Sequence, residues 1–361
     1  MKTVALMNMM LMLGAGSLLQ SVLYELSFGN YTIIAPEGNA ASLAKIVAVT
    51  NDATLPTPPP PPSGNRTGLD FAVVGFEKTG TTFLLKALGD HPEIIMPAKH
   101  SELSKRVCSR KDSGKTKLIS WLQDSSSDSS IKHGIKCSDM MKKTLAIEHL
   151  ADISHQTKLI VGVRNPVLWF QSNYNYRVLQ SYNFNWTRKI PSPHELVTKE
   201  WRGVSTMAAQ FDMYLKQLAK VPLEHDETIE MLTSQGKKSE MRISPNPFKV
   251  FIYTIEQLED KNTNRRLQFE KEIQNFLGLK TPLNFATEQK ENVNAAHYPE
   301  FIDICEPQYK TIRDTLVEQG KRSSLWIRNK FIQSNDVVVS DVGFFNSVLS
   351  TWSDDPCNVK K

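Results

Sequence analysis

Residues 71–90 read FAVVGFEKTGTTFLLKALGD, which is the pattern of a strand, a short loop and a helix in immediate succession. The stretch opens with an apolar run suited to a buried strand and closes with apolar side chains at helical spacing. Between the two, Gly75 and Gly80 let the backbone turn back, so that consecutive N–H groups and the positive end of the helix dipole converge on one point. Lys78 can reach the same point. The stretch therefore predicts a loop that binds a phosphate-like anion.

The loop differs from that of nucleoside triphosphatases in the position of its lysine. In those enzymes the second glycine is followed by a lysine for the terminal phosphates and a hydroxyl for magnesium. Here the spacing from Gly75 to Gly80 is kept, but Thr81 takes the place of that lysine and Lys78 lies inside the loop. This arrangement suits a nucleotide whose 5′-phosphate carries a different leaving group, with no obligatory metal. The alternative is an ordinary glycine-rich turn between a strand and a helix.

A second motif follows another apolar run, residues 157–163, which has the pattern of a buried strand. The run ends at Arg164, and Pro166 then suits the start of a helix. The arginine is thereby placed at the carboxyl end of a strand, the edge where open α/β sheets bind their ligands. Ser172 lies eight residues further on, about two helical turns away, and can face the same anion. The alternative is an arginine in a surface salt bridge.

Together the two motifs resemble those of the sulfotransferases that use 3′-phosphoadenosine 5′-phosphosulfate (PAPS). The family's first motif has the form Lys-x-Gly-Thr-Thr/Ser, and residues 78–82 match it. The second has the form Arg-Asp/Asn-Pro with a serine eight residues after the arginine, and residues 164–172 match it. The resemblance implies PAPS as co-substrate, held by Lys78, Thr79, Gly80, Thr81, Thr82, Arg164, Ser172 and Lys290.

The resemblance extends from about residue 70 to residue 357. Residues 248–258 look like the family's later strand, and residues 269–279 look like its helix ending in Phe-Leu-Gly-Leu. Lys290 and His297 fall where the family has a loop that closes over the nucleotide.

Two lysines are candidates for stabilising the charge that develops during transfer. Lys78 is the first, and Lys136 resembles the strand-end lysine of carbohydrate sulfotransferases. Those proteins usually continue with Ser-Pro, whereas Cys137 and Ser138 follow Lys136 here.

Two residues are candidates for the general base. Glu102 matches the glutamate proposed for this role in glycan-modifying members of the family. His100 is its rival, because an imidazole titrates near neutral pH whereas a carboxylate needs its pKa raised. Alternatively, Glu102 only neutralises the basic residues around it.

These patterns predict a three-layer, P-loop-like α/β domain whose mostly parallel central sheet is flanked by helices. Strands are expected near residues 70–75, 131–136, 158–163 and 248–253, and they alternate with helical patterns, which favours parallel crossovers.

Three segments are predicted along the chain. Residues 1–24 have the character of a signal anchor or a signal peptide, residues 25–67 that of a proline-rich lumenal stalk, and residues 68–361 form the sulfotransferase-like domain. We expect a single-pass type II protein of the Golgi membrane with its catalytic domain in the lumen, or a secreted protein if the signal is cleaved. Acceptor sequences for N-glycosylation begin at Asn30, Asn65 and Asn185.

The cysteines predict one disulfide in particular. A bond between Cys305 and Cys357 would tie the last helices back onto the domain, and an oxidising lumen would permit it. Cys108 and Cys137 could pair instead, although Cys137 lies on a strand expected to be buried and has the character of a plain core thiol.

The expected reaction is transfer of a sulfuryl group from PAPS to a hydroxyl, or an amine, of a glycan. A basic run between residues 99 and 117 could attract an anionic acceptor, and the N-terminal segment would provide the membrane contact. The net charge of +5 is modest, and no nucleic-acid partner is expected. The alternatives are a nucleotide-dependent kinase or phosphotransferase, and a catalytically degenerate glycan-binding protein.

Overall fold

The computed structural model describes residues 27–28, 31–32, 68–97, 112–125, 128, 130–138, 140–142, 150, 154, 156–183, 190–198, 211, 214–216, 218, 248–285 and 298–358. The chain divides into two compact units, residues 1–61 and 62–361. In the first unit, β1 (Ser27–Phe28) and β2 (Tyr31–Thr32) form an antiparallel pair. The predicted signal segment and most of the predicted stalk lie outside the described residues. Within the described part of the chain, no helix has both the length and the apolar character needed to cross a membrane.

The second unit is built on a six-stranded sheet. Its strands are β3 (Phe71–Val73), β4 (Ile94–Ile95), β5 (Lys132–Lys136), β6 (Lys158–Val163), β7 (Val250–Thr254) and β8 (Val337–Val339). Their order across the sheet is β4-β5-β3-β6-β7-β8, and each of these pairings is parallel.

Helices connect the strands. The described α-helices are α1 (Thr81–Gly89), α2 (Asp112–Asp124), α3 (Pro166–Asn183), α4 (Pro193–Thr198), α5 (Ile255–Leu258), α6 (Thr263–Leu277), α7 (Lys310–Asn329) and α8 (Val342–Ser350). Short 3-10 helices lie at Met140–Lys142, Pro307–Tyr309, Phe331–Gln333 and Thr351–Ser353.

The sheet is covered by helices on both faces. Successive residues of a strand point to opposite faces, so Phe71 and Ala72 of β3 belong to two different apolar clusters. The cluster of Phe71 includes residues of α1 and α6, whereas the cluster of Ala72 includes residues of α2, α3, α7 and α8. Strands covered on both sides form nearly continuous apolar runs, as in residues 159–163 of β6. The prediction of a three-layer, P-loop-like α/β domain is confirmed.

The helix after β6 shows how the sequence fixes the start of an element. The Asn165 side-chain oxygen accepts a hydrogen bond from the Val167 N–H at 2.9 Å, and Pro166 takes the first helical position, where no N–H is needed. Helix α3 therefore begins two residues after Arg164, and the arginine directly follows the last residue of β6.

The disulfide between Cys305 and Cys357 is present. The interpretation of Cys137 as a plain core thiol is wrong, because Cys137 is disulfide-bonded. Burial alone suggested a thiol, and a buried half-cystine has the same apolar environment. Cys108, the alternative partner considered for it, lies outside the described residues.

Candidate active site

The site lies where the connections of the sheet change direction. After β3 the chain runs towards β4 and β5, whereas after β6 it runs to the other side, towards β7 and β8. The carboxyl ends of β3 and β6 therefore border a crevice of the kind in which open α/β sheets bind ligands. The loop containing Lys78 leaves β3 at this crevice, and Arg164 leaves β6 beside it.

The loop after β3 has an unusual backbone conformation just before α1 begins. Lys78 has φ 64° and Gly80 has φ 81°, both in the left-handed region, which a lysine adopts rarely. Gly80 is the N-cap of α1, and no side chain caps this helix. The N–H groups of the first turn are thus not used by a capping side chain, and the helix dipole favours an anion there.

The loop is held from two sides. The Thr79 hydroxyl donates to the Phe76 carbonyl at 2.6 Å, and the buried Tyr253 hydroxyl donates to the Thr79 carbonyl at 2.9 Å. Burial raises the pKa of Tyr253 well above its usual range, so this hydroxyl stays a donor. The Thr79 hydroxyl is committed to the loop itself, and the predicted role of Thr79 in nucleotide binding rests on its backbone N–H.

Two glycines allow the loop to lie against β6. A Cβ atom at Gly75 would come within 2.4 Å of the Gly162 nitrogen. A Cβ atom at Gly162 would come within 2.5 Å of the Tyr253 hydroxyl and 2.6 Å of the Thr79 hydroxyl. Only glycine permits this approach of backbones at the crevice.

Arg164 joins the two motifs directly. Its Nη1 donates to the Lys78 carbonyl at 3.2 Å. Burial lowers the pKa of Arg164, while the negative charges of Glu256 and Glu259 act in the opposite direction. The Arg164 Nε is buried and has no hydrogen-bond partner among the described residues. A buried guanidinium with an unused donor is suited to an anionic ligand.

Lys78 is a strongly perturbed cation of the site. Its pKa is lowered to about 8, first by burial and then by the positive charge of Arg164, whereas Glu77 raises it and Lys136 lowers it further. The Lys78 ammonium lies 4.4 Å from the centre of the Tyr176 ring.

Three more predicted residues, Lys136, Thr81 and Thr82, lie at the same edge. Lys136 ends β5 opposite Val73 of β3, and its charge acts on Lys78. Thr81 and Thr82 begin α1, and Ser172 is half-buried on α3. Four predicted residues, His100, Glu102, Lys290 and His297, lie outside the described residues, so their roles stay predictions.

One face of α3 supports the loop through residues that the sequence did not single out. The Trp169 indole N–H donates to the Glu77 carbonyl at 2.9 Å, and the Asn173 amide donates to the Glu77 carboxylate at 3.4 Å. Tyr176 continues this face towards Lys78. Trp169, Asn173 and Tyr176 follow the arginine motif and are spaced four and then three residues apart. This helical spacing is the signal that could have revealed them.

A cavity of about 540 Å³ lies at the opposite edge of the sheet. Asp70, Lys132 and Lys158, at the amino ends of β3, β5 and β6, are among the residues that line it. The amino edge carries neither of the two motifs, and we place the candidate active site at the carboxyl edge.

Comparison with known proteins gave matches only among solved structures. No family model and no curated protein matches the chain. A sulfotransferase from Alicyclobacillus acidocaldarius is 16% identical, covers 72% of this chain and 95% of its own, and has a TM-score of 0.44. The sulfotransferase domain of the Synechococcus PCC 7002 olefin synthase is 12% identical over 70% of this chain and 85% of its own, with a TM-score of 0.33. The sulfotransferase domain from the curacin biosynthetic pathway is 12% identical over 71% of this chain and 91% of its own, with a TM-score of 0.36. TM-scores this low carry no argument about function, which is inferred from the site itself.

Proposed function

We propose that this protein is a sulfotransferase that transfers a sulfuryl group from PAPS to a hydroxyl, or an amine, of a glycan. One observation supports this proposal above the others: the Arg164 guanidinium donates to the Lys78 carbonyl, so two anion-binding motifs meet at one crevice. PAPS carries anionic groups at both its 3′ and 5′ positions, and a site for it needs two such motifs close together.

The chain's own residues would bind and orient this nucleotide. The first turn of α1 and Lys78 would hold the 5′ side, and Arg164 with Ser172 would hold the 3′-phosphate. When bound, PAPS supplies the sulfuryl group, and the remaining bisphosphate departs. By analogy with phosphoryl transfer, the protein must align donor and acceptor and stabilise charge on the departing oxygen. Lys78 and Lys136 would stabilise that charge.

Nucleotide binding tests the proposal. We expect adenosine 3′,5′-bisphosphate to bind equally well with magnesium and with a chelator, because no metal is assigned to the site. Lys78→Ala and Arg164→Ala should each weaken binding by roughly 10- to 100-fold, the value of one charge-assisted hydrogen bond. Isothermal titration calorimetry measures both effects.

Lys271→Ala is the matched control, because it removes the same charge from an exposed position on α6. It should leave bisphosphate affinity unchanged. A preference for ATP with magnesium would replace the proposal with a kinase or phosphotransferase. Tight bisphosphate binding without turnover on any glycan would favour a degenerate glycan-binding protein.

The acceptor and the compartment are parts of the same proposal. We place the enzyme in the Golgi membrane with its catalytic domain in the lumen, where glycans are accessible. A screen of polysaccharides with radiolabelled PAPS would identify the acceptor. Sensitivity of the expressed protein to an endoglycosidase would report whether the chain enters the secretory pathway, and its complete resistance would contradict that location.

A further inference from the structure

Tyr176 presents its ring to the ammonium of Lys78. The two groups are 4.4 Å apart, measured from Nζ to the ring centre. Gln180, one turn further along α3, donates to the Tyr176 hydroxyl at 2.9 Å, so the hydroxyl has a partner of its own away from the ring face. The face of an aromatic ring is its electrostatically negative surface and attracts cations.

Among the residues that the structure describes, few other groups favour the charged form of Lys78. Arg164 at the end of β6 and Lys136 at the end of β5 are both positive, and burial disfavours any charge. Glu77, from the same loop, is the negative group that acts in the opposite direction. A site that collects three cations before its anion arrives therefore gains from any neutral group that stabilises an ammonium.

We propose that Tyr176 is a positioning residue for Lys78: the face of its ring holds the ammonium at the anion site and keeps it protonated until an anion binds. The ring is suited to this role because it adds no charge that would repel an arriving phosphate, as a second carboxylate would. The inference rests on the proposed function only for the identity of that anion.

The protonation of Lys78 can be measured without any ligand. Competitive labelling of lysines with acetic anhydride across a range of pH, read by peptide mass spectrometry, gives the pKa of each amine. Wild-type Lys78 should titrate at about 8. Tyr176→Leu keeps an apolar side chain over the lysine but removes the negative ring face, and we expect the pKa of Lys78 to fall by about one unit.

Ring chemistry separates this role from simple space filling. Tyr176→Phe keeps the ring face and should keep the wild-type titration of Lys78. Ring-fluorinated phenylalanine at position 176 has nearly the same shape but a weakened negative face, so the pKa should fall as fluorine is added. Tyr182→Leu makes the same substitution at an exposed position on the same helix and should change nothing at Lys78.

Binding of adenosine 3′,5′-bisphosphate gives a second readout. With a pKa lowered from about 8 to about 7, the charged fraction of Lys78 falls about fivefold at about pH 8 but by less than half at about pH 6.5. Tyr176→Leu should therefore bind several-fold more weakly at the higher pH and nearly normally at the lower one. An equal loss at both pH values, or an unchanged pKa in the leucine and fluorinated variants, would overturn the inference.

The two readouts also separate this inference from the proposed function. If the wild-type protein does not bind the bisphosphate but the labelling results are as expected, the proposed function fails while the role of Tyr176 stands. If the bisphosphate binds and Lys78 titrates identically in all variants, the proposed function stands while the role of Tyr176 fails.

Discussion

Gly162 has no room for a side chain at the candidate site. A methyl group there would collide with the hydroxyls of Tyr253 and Thr79, which form the hydrogen bonds that hold the loop after β3. We expect Gly162→Ala to lower the free energy of unfolding by about 1–3 kcal/mol, the cost of overpacking a tight interior. Because the displaced hydroxyls hold the loop after β3 in place, bisphosphate affinity should fall as well. Urea unfolding and calorimetry measure the two effects.

Gly89→Ala is the control for this change. Gly89 lies at the end of α1, and nothing lies within 4 Å of where its Cβ would be. That variant should be at least as stable as the wild type, since alanine has the higher helix propensity. A Gly162→Ala protein with normal stability and normal affinity would contradict the close packing described here.

Turnover depends on which residue is the general base. With Glu102 as the proposed general base, we expect Glu102→Gln to lower turnover by about 100-fold or more with nearly unchanged bisphosphate affinity, because the change would remove proton transfer and leave the phosphate contacts intact. Steady-state kinetics with PAPS as the varied substrate, combined with calorimetry, separates the two quantities. A near-normal Glu102→Gln together with a comparable loss in His100→Ala would transfer the role to the histidine.

Individual residues could be assigned from the sequence where one side chain or backbone position carries the chemistry. Lys78, Gly80 and Arg164 were identified because loop spacing and strand ends place them at one edge. Tyr253 and Tyr176 were not, since each acts across the fold on a residue far away in the chain. Nothing local to a tyrosine shows which loop its hydroxyl or ring will meet.

At the scale of elements, the long buried strands were the predictable ones. Expected strands near 158–163 and 248–253 correspond to β6 and β7, with ends shifted by at most two residues. The edge strands β4 and β8 were not predicted, because they contain two and three residues and have no periodicity of their own. They form because they pair with the neighbouring strands β5 and β7, respectively.

The Glu93 carboxylate, directly before the edge strand β4, connects this strand to the segment after α6. Glu93 accepts hydrogen bonds from the N–H groups of Lys280 at 3.0 Å and Thr281 at 2.6 Å. These bonds lower its pKa from 4.5 to about 2. Because the folded-state pKa is depressed, the stabilisation is present above the ordinary pKa and is lost as the pH falls towards about 2.

We therefore expect Glu93→Gln to be less stable than the wild type at about pH 7, with the difference shrinking as the pH falls from about 4.5 to about 2. Urea midpoints across that range measure it. Glu318→Gln, at an exposed position of α7, controls for the loss of one negative charge and should show no such trend. A difference that stays constant with pH would mean that the carboxylate's charge is not what joins the two segments.

On the scale of the whole molecule, the carboxyl-terminal region is joined to the domain by a covalent bond and an ion pair. Cys305 and Cys357 are bonded across 52 residues. Beside them, buried Arg313 donates to Asp355 at 2.9 Å and to the Ile304 carbonyl at 2.7 Å. Closing a loop of this length stabilises the folded state by about 4 kcal/mol in the chain-entropy model.

We expect the double variant Cys305→Ser, Cys357→Ser to lose about 4 kcal/mol of unfolding free energy while remaining folded, since Arg313 still holds the same junction. Denaturant unfolding of the variant and the wild type under non-reducing conditions measures the difference. Recovery of both cysteines as free thiols, by peptide mapping of secreted wild-type protein without reduction, would contradict the bond.

The position of β8 beside β7 has a consequence for how the chain is made. During synthesis β3 to β7 leave the ribosome before β8 does, and the outer backbone groups of β7 then have no strand beside them. An open strand edge is a template for wrong association, and nascent domains fold from the amino terminus onwards. Cys357 follows both β8 and α8, so oxidation joins the region only after the sheet can be complete. A nascent chain stalled before β8 would expose the unpaired outer edge of β7, and a chaperone would be needed to cover it.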